Sequence, residues 1–189
     1  STDKDLQFLA DFIYEKIFVN YTAKQWGMKP EDMDSAVTAR VPVFIGRDNR
    51  YFNDSYQMLP KDGYTKMIEK MLNHKNIKLM LNTEFKEVCE IKENDFYLFD
   101  KKFDGKVIYT GQIDELFDYK FGDLPYRSVN MQFETIEKDF YQEKTTVNYP
   151  NDYDFTRITE FKHIHPINTP KTTILKEYPQ EYVINKNTP

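Results

Sequence analysis

The chain has a single cysteine, Cys89, among its 189 residues. One thiol cannot form an internal disulfide or a cysteine-rich zinc cage, and its scarcity fits a reducing, cytoplasmic setting. The sequence has no run of about 18 apolar residues, the length a membrane span needs, and no basic stripe to follow a nucleic-acid backbone. With 30% charged residues and a net charge of −5, we expect a soluble folded protein whose partners include neither membrane nor nucleic acid.

The common catalytic signatures are missing as well. The sequence contains no GxGxxG or GxxxxGK[ST] phosphate loop, no HExxH zinc helix and no GxSxG nucleophile elbow. Of the three histidines, His163 and His165 would share one face of a strand, but two imidazoles need at least one further ligand to hold a metal. We therefore expect no metal site, and a catalytic hypothesis has to rest on weaker signals.

Hydrophobic spacing predicts helices first and strands afterwards. Apolar residues every three or four positions predict a helix over 4–21, Pro30 with the acids after it predicts a short second helix, and a third is predicted over 63–74. Short aromatic or β-branched segments between turn residues predict strands at 77–81, 84–91, 95–99, 106–110, 126–134, 145–149, 156–161 and 172–178. This order predicts an α+β fold, with N-terminal helices followed by a mostly antiparallel β-sheet.

Three aromatic residues crowd around the end of the first predicted helix, which Gly27 can terminate. Phe18 and Tyr21 are three residues apart, on one helical face, where two rings can hold a flat base between them. The same two rings and Trp26 can also simply pack in a core. Spacing leaves both interpretations open.

Two arginines are candidates for binding phosphate. The guanidinium groups of Arg40 and Arg157 stay cationic and can grip phosphate oxygens bidentately. Each can equally be an ordinary surface arginine that pairs with Asp or Glu.

Nine short strings, in the same order, resemble the UDP-galactopyranose mutase family over roughly residues 12 to 179. The strings are YTAKQWG (21–27), RVPV (40–43), RYFND (50–54), LPKDGY (59–64), VIYTGQID (107–114), YRS (126–128), VNY (147–149), TR (156–157) and KEYP (176–179). For the intact parent, the resemblance implies conversion of UDP-galactopyranose to UDP-galactofuranose, with reduced FAD acting as a nucleophile and no net redox change.

The resemblance also implies roles for individual residues. Phe18 and Tyr21 look like the pair that stacks on uracil, and Trp26 like the indole that lines the sugar pocket. Arg40 resembles the mobile-loop arginine that reaches the diphosphate, and Arg157 the second arginine, between the pyrophosphate and the flavin. Three further matches are Tyr51 near the phosphates, Asn148 near the nucleotide, and Phe85 where the backbone meets the adenine of FAD.

The chain departs from the family pattern in ways that matter. Phe44, Met58, Phe155 and Phe161 stand where many members have arginine, glycine, tyrosine and histidine, which makes the pocket less polar. Both glycine-rich FAD segments are absent, so we expect a fragment that binds no FAD and is inactive alone.

The fragment would comprise a helical substrate-binding part (1–76), strands of the parent's FAD domain (77–112) and an antiparallel sheet region (113–189). We expect UDP-galactose as its ligand, and homodimers or self-association through the interface that excision exposes.

Two other interpretations compete with a mutase fragment. The first is a non-catalytic nucleotide-sugar binding module derived from the mutase, in which the changes at Phe44 and Phe155 would be tolerable. The second is a different relative of the flavin amine oxidases, which explains the strands near residues 85 and 110 but not YTAKQWG.

Overall fold

The structure is a computed structural model that describes residues 3–34, 36, 44–48, 50, 52 and 54–189. Its contacts divide the chain into a first unit, Ser1–Phe44 with Asp123–Pro189, and a second unit, Ile45–Gly122. Helices precede antiparallel sheets, which confirms the predicted α+β fold. The three-part division expected from the sequence concerns roles in a longer protein and stays a prediction.

The first unit begins with a long helix. Helix α1, Lys4–Ile13, starts where the Asp3 carboxylate accepts hydrogen bonds from the backbone N–H groups of Asp5 and Leu6. The chain continues as a π-helix, Tyr14–Tyr21, and then as α2, Thr22–Trp26. Gly27 ends it as expected, with a left-handed φ of 68° and its N–H donating to the Ala23 carbonyl at 2.7 Å. The predicted helix is therefore confirmed, although it runs five residues further and changes its winding.

The second unit holds one longer helix and a small sheet. Helix α3, Gly63–Leu72, confirms the helix predicted over 63–74. The short helix α4, Phe85–Val88, leads into an antiparallel sheet of three strands, and one more helical turn follows as α5, Ile113–Leu116. The strands are β1 (Cys89–Lys92), β2 (Asp95–Leu98) and β3 (Lys101–Phe103), paired in that order.

Three strand predictions in the second unit are wrong in whole or in part. Residues 77–81 and 106–110 form no strand, because in the described part of the chain their backbones find no partner to pair with. The predicted strand 84–91 starts only at Cys89, since Glu84 and Glu87 form a capping box that begins a helix instead. In that box Glu87 Oε2 accepts from the Glu84 N–H at 3.3 Å.

The first unit also contains a short 3-10 helix, Pro30–Asp32, which confirms the second predicted helix, and a four-stranded antiparallel sheet. Its strands are β4 (Arg127–Ile136), β5 (Thr146–Asn148), β6 (Arg157–Glu160) and β7 (Thr172–Glu181), in the order β4-β7-β6-β5. Four strand predictions are thereby confirmed. A 3-10 turn, Phe161–His163, follows β6, so the expectation that His163 and His165 share a strand face is wrong.

Strand register decides which side chains share a face of this sheet. Asn148 pairs with Arg157, Arg157 with Glu177, and Arg127 with Glu181. Paired residues, and residues an even number apart on one strand, lie on the same face. All five side chains therefore belong to one face, which we call the arginine face.

The opposite face is the better buried one. Ile158, Ile174 and Glu160 lie on it and are 1%, 0% and 0% exposed. The Glu160 carboxylate accepts hydrogen bonds from the backbone N–H groups of Tyr141 and Gln142, both at 2.9 Å, and from Thr172 Oγ1 at 2.6 Å. Glu160 therefore fastens the segment between β4 and β5 onto the sheet.

Candidate functional site

Two residues that the sequence singles out independently are in direct contact. Arg157 Nη2 donates a hydrogen bond to Tyr21 Oη at 3.2 Å, although 136 residues separate them in the chain. The Arg157 Nε also lies 3.5 Å from Glu177 Oε2 on the neighbouring strand β7. The helical segment that contains Tyr21 thus packs on the arginine face, where the Tyr21 ring lies next to the Arg157 guanidinium.

The π-helix changes the relation between Phe18 and Tyr21. A π-helix has i→i+5 hydrogen bonds and therefore more residues per turn than an α-helix. The side chains of residues three apart, such as Phe18 and Tyr21, consequently diverge more than they would on an α-helix. Both rings are half-buried, and so is Trp26. None of the three is a fully buried core residue, which leaves part of each ring available to a ligand.

Asn148 lies beside Arg157, as its partner in the ladder between β5 and β6. It is exposed, whereas Arg157 is half-buried. The structure therefore groups Tyr21, Asn148 and Arg157, with Phe18 on the same helix.

A second cation on the arginine face, Arg127, is not among the site residues predicted from the sequence. Arg127 lines a cavity of about 930 Å³ together with Trp26, Tyr126 and Tyr182. Its Nη1 and Nη2 lie 3.4 Å from the position that a Cβ on Gly27 would take. Its Nε is buried and has no hydrogen-bond partner among the described residues. A buried donor without a partner is costly, and a guanidinium in this position is suited to an anionic ligand.

The two arginines are spaced for an extended ligand. Arg127 and Arg157 are two strands apart, at ~4.8 Å per step, and their partners on β7 are four residues apart, at ~3.4 Å per residue. These spacings place the two Cα atoms about 17 Å apart. The only sequence signal for Arg127 was its place in the YRS string, because its alignment with Arg157 depends on strand register.

The structure does not test the roles of three further predicted site residues. Arg40 and Tyr51 lie outside the described residues. Phe85 belongs to the second unit, where it is half-buried and its ring centroid lies 5.1 Å from that of Tyr109. The roles of all three stay predictions.

The described ranges lack two further features. They contain no group of three or more His, Cys, Asp or Glu side chains that could hold a metal ion, and the expectation of no metal stays a prediction. They also contain no helix long and apolar enough to cross a membrane.

Known proteins resemble this chain over nearly its whole length. A family model for UDP-galactopyranose mutase matches residues 16–189. A probable UDP-galactopyranose mutase of Klebsiella pneumoniae is 35% identical over 93% of this chain and 43% of its own length. A dTDP-fucopyranose mutase of Escherichia coli is 34% identical over 93% and 46%, and a UDP-galactopyranose mutase of Mycoplasma pneumoniae is 33% identical over 84% and 40%. The chain thus spans less than half the length of these curated relatives.

Proposed function

Because the chain belongs to the UDP-galactopyranose mutase family, we propose that it is the nucleotide-sugar-binding part of a longer mutase, which interconverts UDP-galactopyranose and UDP-galactofuranose. The hydrogen bond between Arg157 and Tyr21 carries the proposal, because it joins a cation for the diphosphate to a ring for the base. The coverage of 43% and 46% of two relatives supports a longer parent.

The aromatic residues of the helix hold the base. Stacking on an aromatic side chain contributes about 1–3 kcal/mol per base. In Tyr21 the hydroxyl is already held by Arg157, so less side-chain entropy is lost when the ligand binds. Phe18 supplies the second ring, and Trp26 lines the space for the sugar.

The arginines neutralise the diphosphate. When the bond between the sugar and UDP breaks, negative charge develops on the leaving diphosphate, and fixed cations stabilise it. Arg157 has Glu177 beside it in the free site, which limits the cost of holding the cation half-buried. Arg127 and Arg40 add positive charge, while Tyr51 and Asn148 contact the nucleotide.

The chain's own residues do not fit the flavin of the family. FAD needs a glycine-rich loop at a helix N-terminus for its pyrophosphate, and the six glycines of this sequence form no such loop. Phe85 alone cannot replace that loop. Flavin chemistry, with reduced FAD as the nucleophile, belongs in this proposal to other parts of the parent, and this chain binds, orients and neutralises the substrate.

A dTDP-sugar is a second candidate substrate. The relative named a dTDP-fucopyranose mutase is 34% identical to this chain, against 35% for the Klebsiella relative. Thymine carries a C5 methyl group that uracil lacks, and deoxyribose lacks the 2′-hydroxyl. The choice between the two therefore depends on the space around the stacked base.

Binding to the chain itself tests the nucleotide site. We would titrate UDP, dTDP, ADP and uridine by ligand-observed NMR, and expect UDP to bind weakly but better than ADP and uridine. Tyr21→Ala should weaken UDP binding by about 1–3 kcal/mol, and Arg157→Ala by about 1.5–3 kcal/mol. Lys171→Ala is the matched control, because Lys171 is exposed and its ammonium group pairs with Glu137, and neither residue belongs to the proposed site. Equal binding of UDP and ADP, or a Tyr21→Ala variant that binds UDP normally, would reject the uracil site.

Turnover distinguishes the enzyme from a binding module. The full-length protein, reduced and loaded with FAD, should convert UDP-galactopyranose to UDP-galactofuranose, and Arg157→Ala should abolish most of this conversion. A full-length protein that binds UDP but converts neither UDP-galactose nor a dTDP-sugar would favour the non-catalytic module.

A further inference from the structure

We propose that Lys24 is a positioning residue that ties the helix carrying Tyr21 to the loop between β5 and β6. It thereby sets the distance between the base-binding and diphosphate-binding halves of the site. The inference rests on the proposed function, which assigns the base to Tyr21 and the diphosphate to Arg157.

A single ammonium group closes both ends of this loop. Lys24 Nζ donates to the backbone carbonyl of Tyr149 at 2.8 Å and to that of Phe155 at 2.6 Å. Tyr149 directly follows Asn148, the last residue of β5, and Phe155 stands two residues before Arg157, the first residue of β6. The two site residues on these strands therefore continue directly from the two anchored carbonyls.

The Lys24 side chain is partly shielded from solvent. Lys24 is half-buried, and its loss of solvation lowers the pKa of its side chain, while Asp154 and Asp152 act in the opposite direction. Hydrogen bonds from a charged donor are roughly twice as strong as neutral ones. The tie is therefore stronger than that of an exposed lysine.

A second tie runs from the same helix to the same loop. Asn20 Nδ2 donates to Asn151 Oδ1 at 2.8 Å. Asn20 and Lys24 flank Tyr21 along the helix. The loop is thus attached on both sides of the residue proposed to stack on the base.

The loop is itself compact enough to transmit a displacement. The rings of Tyr149, Tyr153 and Phe155 pack on one another with centroids 5.0 to 5.4 Å apart. The Tyr149 N–H donates to the Thr156 carbonyl at 2.8 Å, which closes the base of the loop. A shift of Lys24 would therefore move the start of β6, and Arg157 with it.

The test compares UDP with uridine, because uridine has the base but no diphosphate. Lys24→Met keeps most of the aliphatic stem and removes the charge and all donors. We expect it to lower the ratio of UDP to uridine affinity about tenfold, while uridine affinity changes less than about twofold. The backbone amides of residues 149 and 151–157 should also exchange faster with deuterium. Lys29→Met, at an exposed lysine beyond the helix end, should change neither quantity.

A variant that keeps the charge covers the case in which Lys24→Met fails to fold. Lys24→Arg retains a cation but changes its length and donor geometry, and should lower the same ratio by about threefold. If the affinities for UDP and uridine fall by the same factor, the variant is generally destabilised and the inference is overturned. An unchanged ratio of UDP to uridine affinity in the Lys24 variants also overturns it. A wild-type chain that does not prefer UDP over ADP refutes the proposed function and this inference with it. If the wild-type chain prefers UDP over ADP but the Lys24 variants keep the wild-type ratio of UDP to uridine affinity, only this inference is overturned and the proposed function stands.

Discussion

Replacement of Glu160 by glutamine should destabilise the first unit by about 3 kcal/mol, the difference expected when a buried carboxylate loses its charge and one acceptor. Glu160 is 0% exposed. One oxygen accepts from the Tyr141 N–H and from Thr172 Oγ1, and the other accepts from the Gln142 N–H. Glutamine has the same shape, so the substitution changes the chemistry of the site and leaves its volume intact.

The magnitude follows from these partners. The amide nitrogen of glutamine must replace one oxygen and then faces a donor, which leaves a buried group unsatisfied at about 1–3 kcal/mol. The remaining hydrogen bonds lose their charge assistance, which roughly halves each of them. Some relaxation offsets part of the loss, so about 3 kcal/mol is a central value and corresponds to a decrease in Tm of about 6–12 °C.

The change is measured by denaturant unfolding followed by the fluorescence of Trp26, the only tryptophan of the sequence and part of the first unit. Glu143→Gln is the matched control: Glu143 is exposed in the same segment, and its replacement should stay within about 0.5 kcal/mol. Equal stability of the two variants would refute the argument.

The same carboxylate predicts a pH dependence. Burial on its own raises the pKa of Glu160, but the hydrogen bonds from Thr172, Tyr141 and Gln142 and the neighbouring His163 outweigh it and hold the pKa below its usual value. The ionised group therefore stabilises the fold fully above the unfolded pKa of about 4.3, and this contribution is lost as the pH falls through the lower folded pKa. The stability difference between wild type and Glu160→Gln should thus shrink under strongly acidic conditions. A constant difference down to pH ~3 would contradict this assignment.

Three further outcomes are expected. Gly27→Ala should cost about 1–2 kcal/mol in the unfolding assay, because φ is 68° there and Arg127 lies 3.4 Å from the new Cβ. A Gly27→Ala variant as stable as wild type would contradict the strain argument. The purified chain should show no visible flavin absorbance, since it lacks the glycine-rich FAD loops; a yellow preparation with stoichiometric FAD would show this reasoning to be wrong. Sedimentation should detect self-association, because Met131 and Phe133 on β4 are 57% and 65% exposed; a strict monomer at high concentration would count against it.

Local patterns in the sequence were sufficient for the helices, most of the strands and the family. Helices α1 and α3 show apolar residues at helical spacing, and strands β4 and β7 show strand-like segments. These signals lie within each segment itself, so the sequence predicts these elements. The failures at 77–81 and 106–110 have a common cause. An apolar segment becomes a strand only when another strand pairs with it, and the sequence of the segment does not contain that partner.

For the candidate site, the sequence by itself determined which residue types are present. The short strings identified Tyr21 as a candidate for binding the base and Arg157 as a candidate for binding the diphosphate, with no indication that the two are in contact. Only the tertiary structure decided that these two side chains touch across 136 residues. The pairing of β4 and β6 with β7 places Arg127 and Arg157 on one face, and the packing of the helix on that face lets Lys24 reach two carbonyls of the β5–β6 loop. Strand register and helix packing depend on contacts between segments far apart in the chain, which the sequence of one segment does not contain. A shift of one residue in the strand pairing would turn Arg127 or Arg157 to the other face of the sheet.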